Sequence, residues 1–255
     1  MKKKYLIANW KQYLTVAKSE QLFEQLLRFE KKNSWGSDLY VVVAPPVLAM
    51  PAILARAKKN RSRILIASQD CGFADEGAFT GSISPKELKK LGVAFVLVGH
   101  SERREWFAET NILLRKKLLA ATYAGLKTIY CVGETKDERH GGRAYEVIRE
   151  QLIEAAGDKV LVAAHQPTLV AYEPRWAIGT GIAIEPAEAG QMHRFIDGEV
   201  GARGTEICYG GSVSPENILS FIGLPHTVGT LVGKASTNFK SIAAMIQKMN
   251  RSGKK

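Results

Sequence analysis

The chain has 255 residues, with 36 Lys and Arg against 25 Asp and Glu, a formal net charge of +11, and 45% apolar residues. This is an ordinary globular balance, which excludes disordered, collagen-like and coiled-coil classes and leaves room for a large core. Cys71, Cys131 and Cys208 show no CxxC spacing, so neither a disulfide framework nor a zinc site is expected, no other metal or cofactor is called for, and a reducing cytoplasm fits.

The start, Met1-Lys2-Lys3-Lys4, resembles the basic end of an export signal, but the apolar stretch behind it stops at Lys11 and is too short for one. An unexported protein is expected. The longest uncharged run, Leu39 to Ala55, is interrupted by Pro45, Pro46 and Pro51, so no membrane span is predicted.

Eight β-branched runs follow one another along the chain: Tyr5–Ala8, Leu39–Ala44, Arg63–Ser68, Ala94–Val98, Lys127–Cys131, Thr168–Tyr172, Thr205–Tyr209 and Thr227–Val232. Most are nearly continuous apolar stretches, as parallel strands covered on both faces require. Segments of helical period lie between them, such as Ser19–Lys32 with Leu22, Phe23, Leu26 and Leu27 on one stripe, and Asn111–Tyr123. Val160-Leu161-Val162 is a competing strand candidate. The alternation predicts an α/β fold, a closed (β/α)8 barrel of eight parallel strands surrounded by helices, with residues 1–255 as one domain. Cation pairs such as Lys31-Lys32, Lys58-Lys59, Lys89-Lys90 and Lys116-Lys117 read as solvated charges on or near helix ends. With the basic balance they leave a nucleic-acid-binding protein as the alternative of another class.

In such a barrel the side chains just past the strand C-termini converge on one mouth. Strand 1 ends Asn9-Trp10-Lys11, strand 4 ends Gly99-His100-Ser101-Glu102-Arg103-Arg104, and strand 6 ends Tyr172-Glu173-Pro174-Arg175-Trp176. Strands 7 and 8 end Tyr209-Gly210-Gly211-Ser212 and Gly233-Lys234-Ala235-Ser236. A carboxylate base, an imidazole donor, a fixed cation and two glycine turns form a set suited to a phosphate-bearing carbonyl compound. Two lookalikes fail. Gly179-Thr180-Gly181 lacks the third glycine of a dinucleotide fingerprint, and Gly229 to Lys234 has the wrong glycine spacing for a P-loop, with Ala235 where Ser or Thr is required.

These strings, with Gly77-Ala78-Phe79-Thr80-Gly81 and Trp176-Ala177-Ile178-Gly179-Thr180-Gly181, resemble the triosephosphate isomerase family over essentially the whole chain. The resemblance implies interconversion of dihydroxyacetone phosphate and glyceraldehyde 3-phosphate through an enediol, a step of glycolysis and gluconeogenesis. It implies Glu173 as the base, His100 as a neutral imidazole that polarises the carbonyl, and Lys11 and Asn9 as charge and hydrogen-bond donors, with Glu102 holding Lys11. Pro174 to Gly181 is then a closing lid, and the backbone N–H groups of Gly179, Ser212, Gly233 and Lys234 bind the phosphate. The resemblance also implies a homodimer through the Gln69–Ser82 loop, with Thr80 near the partner's active site, and gives no reason to expect nucleic acid. Lys234 stands where the family usually has a second glycine, which makes a four-carbon phosphosugar the alternative substrate. Arg175, Ile182-Ala183-Ile184 and Gln12-Tyr13 depart from the family pattern at the lid and the dimer contact.

Overall fold

The computed structural model describes residues 3–156, 169–179, 183–200 and 206–252. Val160-Leu161-Val162, the expected strand starts Thr168 and Thr205, and Thr180-Gly181-Ile182 of the expected lid lie outside them.

The strands are β1 (Lys4–Asn9), β2 (Leu39–Ala44), β3 (Leu65–Ser68), β4 (Phe95–Val98), β5 (Lys127–Val132), β6 (Leu169–Tyr172), β7 (Glu206–Tyr209) and β8 (Thr227–Val232). Each pairs in parallel with the next, and β8 pairs with β1, so the sheet closes into a barrel as the sequence predicts. Several boundaries differ from expectation. The third strand begins at Leu65 rather than Arg63, because the backbone N–H groups of Arg63 and Ile64 donate to Glu30 and to the Ser62 hydroxyl and not to a neighbouring strand. The fifth extends to Val132, and β1 reaches Asn9.

Around the ring lie α1 (Val16–Lys32), α2 (Met50–Lys59), α3 (Pro85–Leu91), α4 (Ser101–Trp106), α5 (Asn111–Tyr123), α6 (Lys136–His140), α7 (Ala144–Gln151), α8 (Pro186–Val200), α9 (Ile218–Ile222) and α10 (Phe239–Arg251). Several starts are fixed by hydroxyl caps. Thr15, Ser84, Thr110 and Thr135 each accept a backbone N–H three residues on, which satisfies a donor the helix itself leaves free.

Because alternate residues of a strand point to opposite faces, the barrel has two cores. Tyr5, Ile7, Val42, Phe95, Leu97, Ile129, Cys131 and Cys208 fill the inside, while Leu6, Val41, Val43, Val96, Tyr130, Val170 and Ile207 pack outward against the helices. Continuous apolar runs in the sequence are the signature of this double burial.

Lys117 corrects one expectation. It is not a solvated cation but is only 5% exposed, held by Asp70 (Nζ to Oδ1 2.7 Å) and Glu109 (2.6 Å), with Arg103 bridging the same two acids. The four charges tie the start of the β3 loop to α5 and to the segment after α4. Burial raises the Asp70 carboxyl above its usual range, opposed by the ammonium of Lys117.

Candidate active site

Parallel closure sends every strand's C-terminal end to one mouth, and the cleft there has a volume of about 420 Å3. Asn9, Lys11, His100, Glu173, Gly179, Ser212, Gly233 and Lys234 all line it, so residues from β1, β4, β6, β7 and β8 meet as the sequence suggests.

Glu173 follows β6 and is 2% exposed. Its Oε2 accepts the backbone N–H of Ser101 at 2.9 Å, and its Oε1 lies 3.4 Å from His100 Nε2. Room for this carboxylate comes from glycine on both neighbouring strands. A Cβ on Gly210 would stand 2.8 Å from Glu173 Cγ, and one on Gly133 would collide with the Glu173 carbonyl.

His100 caps α4. Its Nδ1 accepts the backbone N–H of Glu102 at 3.2 Å, which leaves the proton on Nε2, the nitrogen that faces Glu173. One turn of chain therefore fixes both the orientation and the tautomer of the ring. Glu102 sits behind the cleft wall and binds Lys11, Oε1 to Nζ 2.6 Å.

Lys11 has φ 48°, in the left-handed region that a side chain with a Cβ avoids. Three contacts hold it there. Its N–H donates to Asn9 Oδ1 at 3.0 Å, its carbonyl accepts Gln69 Nε2 at 2.9 Å, and its Nζ is paired with Glu102. Gln69 also donates to Ala44 O, so it clamps the ends of β1 and β2 together.

The segment that the resemblance makes a lid begins with Pro174 and a short 3-10 turn, Arg175–Ala177. Ser212 Oγ donates to Ala177 O at 2.8 Å, a side-chain role for a residue expected only for its N–H. Arg175 lies 3.8 Å from Glu105. Sequence reading missed Glu134, just past β5. It is fully buried, and Oε1 accepts Tyr172 Oη (3.1 Å), Trp176 Nε1 (3.1 Å) and Arg139 Nη1 (3.0 Å). The rule that polar residues just past a strand face the mouth would have found it.

Cys131 and Cys208 lie inside the barrel, where burial raises both thiols well above their usual range and keeps them protonated. They are structural. Thr80 is exposed on the β3 loop and does not line the cleft of its own chain.

The triosephosphate isomerase family profile matches residues 4–249. Triosephosphate isomerase of Trichlorobacter lovleyi is 38% identical over 97% of this chain and 99% of its own length. Those of Syntrophotalea carbinolica, 37% identical over 97% and 98%, and Carboxydothermus hydrogenoformans, 38% identical over 97% and 99%, are similar along the same span. With a closed eight-strand parallel barrel, one shared cleft and relatives matched from end to end, the chain belongs to the triosephosphate isomerase family.

Proposed function

We propose that the cleft interconverts dihydroxyacetone phosphate and glyceraldehyde 3-phosphate through an enediol, and that Glu173, His100, Lys11 and Asn9 do the work. Glu173 takes a proton from the carbon next to the carbonyl while His100 Nε2–H donates to the carbonyl oxygen, which gives the enediol. Glu173 then returns its proton to the neighbouring carbon while His100 takes back a proton from the other oxygen, which leaves the product carbonyl and restores both groups. Lys11 offsets charge that develops on the oxygens, and Glu102 keeps its ammonium in place. Asn9 Oδ1 is engaged by Lys11 N–H, which leaves its amide NH2 for the substrate. The N–H groups of Gly179, Ser212, Gly233 and Lys234 receive the phosphate.

The observation that carries this reading is the line of contacts from Glu173 to His100 (3.4 Å), from His100 Nδ1 to the Glu102 backbone N–H (3.2 Å) and from the Glu102 carboxylate to Lys11 (2.6 Å) at one cleft. Neither a four-carbon phosphosugar isomerase nor a nucleic-acid-binding protein finds support in the comparisons. The purified protein in a coupled assay with glyceraldehyde 3-phosphate is expected to turn over at about 1–1000 per second. No turnover above the uncatalysed rate overturns the reading.

We further infer one domain over 1–255, a cytoplasmic setting in keeping with three free cysteines, and a homodimer through the Gln69–Ser82 loop with Thr80 near the partner's active site. Phe73 and Phe79, stacked edge to face on this loop, are 40% and 42% exposed, and beside them Val47, Leu48 and Phe107 line a groove of about 860 Å3. Apolar rings and an apolar groove of this kind complement each other across a two-fold axis. Sedimentation is expected to give twice the chain mass for the protein and the chain mass for Phe79→Asp; a monomeric parent overturns the dimer.

A further inference from the structure

We propose that the side chain of Lys234, and not only its backbone, is the cation that matches the dianionic part of the ligand. The inference deepens the reading of the cleft as a phosphate site and rests on it.

Among the described residues that line the cleft, the charged ones are Lys11, Glu173 and Lys234. Lys11 already has a counter-ion, since its Nζ lies 2.6 Å from Glu102. Glu173, only 2% exposed, adds a negative charge with no cation paired to it. A ligand carrying a phosphate dianion therefore enters a cleft that, without Lys234, opposes it. Lys234 makes no ion pair among the described residues and is exposed at the cleft wall, so no internal partner competes for its ammonium. A Cβ on Gly233 would lie 3.7 Å from Lys11 Nζ, so the two lysines flank one glycine.

Each lysine has a separate task on this account. Lys11, strained and neutralised in part by Glu102, lines the same cleft as His100 and Glu173, where bonds change. Lys234, exposed and without an ion pair among the described residues, supplies attraction that does not change as the substrate reacts. An interaction equal in ground and transition states lowers KM without raising kcat. It is also exposed, so salt screens it.

The test compares the intact protein with Lys234→Gln and Lys234→Arg. Lys234→Gln is expected to raise KM for glyceraldehyde 3-phosphate about tenfold with kcat within about twofold, as loss of one charge-assisted contact predicts. Titration calorimetry with inorganic phosphate should show the same loss of affinity, shrinking at high salt, and Lys234→Arg should restore both. Unphosphorylated glyceraldehyde separates a charge effect from a distorted cleft, since its kcat/KM should be the same in all three proteins. Equal phosphate affinity in the parent and Lys234→Gln overturns the proposal, as does an equal loss on the uncharged triose. If none of the proteins isomerises the phosphorylated triose but phosphate affinity still falls on substitution, the assigned reaction fails and the cation assignment stands.

Discussion

Glu173 Oε2 accepts the backbone N–H of Ser101 across 2.9 Å, which joins the carboxylate after β6 to the first turn of the helix that His100 caps. Glu173→Gln keeps an acceptor for Ser101 and the shape of the cleft but removes the base. Steady-state kinetics should show kcat reduced by about 10²–10⁴-fold. Phosphate affinity by calorimetry should stay within a few-fold of the parent. A near-parental kcat would remove Glu173 from its role.

Lys117 holds the half-buried Asp70 and, through Oε1, the buried Glu109, while Glu109 Oε2 makes no hydrogen bond among the described residues. Lys117→Met leaves the two carboxylates with Arg103 as the cation between them. Urea unfolding should show a loss of about 1–3 kcal/mol, and adding Glu109→Gln to the variant should recover part of it. A loss under about 1 kcal/mol would mean that solvent already reaches the cluster.

His193 is enclosed by Tyr172, Tyr209 and the Thr227 hydroxyl, which lies 2.6 Å from Nδ1. Burial, helped by the nearby His226, lowers its pKa from 6.5 to about 3. Below pH 6.5 the unfolded chain binds a proton that the folded chain refuses, so stability present above that pH is lost on acidification towards about 3. The slope contributed by this residue approaches about 1.4 kcal/mol per pH unit. Urea midpoints measured at pH 7 and pH 5 should converge for His193→Gln and separate for the parent; identical pH dependence in the two proteins would place the proton uptake elsewhere.

Ala108 is exposed and has φ 51°, in the region where a Cβ costs about 1–2 kcal/mol. Glycine relieves that strain and loses some of the gain to a freer unfolded chain. Ala108→Gly should stabilise the protein by about 0.5–1 kcal/mol, a rise of about 1–4 °C in Tm for a chain of this size. An unchanged or lower Tm would show that the strain is absorbed elsewhere in the segment.

The barrel was legible because strands covered on both faces leave long apolar runs such as Val41-Val42-Val43, and such runs survive without any knowledge of what packs on them. The cleft was legible because Asn9, Lys11, His100 and Glu173 sit where strand propensity disfavours them. Lys117 was misread for the opposite reason. A helix pattern shows which face a residue is on but not that Asp70, far away in the chain, will meet it. Ala108 gives no signal at all in the sequence, since nothing in the type of the residue marks a left-handed backbone.

Gly133 and Gly210 contribute no chemistry, yet a methyl group on either would push against Glu173. The position of the carboxylate proposed as the base is thus specified by the residues just past β5 and β7 as much as by β6. A distant chain that kept the glutamate but carried a bulkier residue at either neighbouring position would display the right functional group in the wrong place. When such chains are screened for catalysts, two blank positions discriminate better than the conspicuous acid between them.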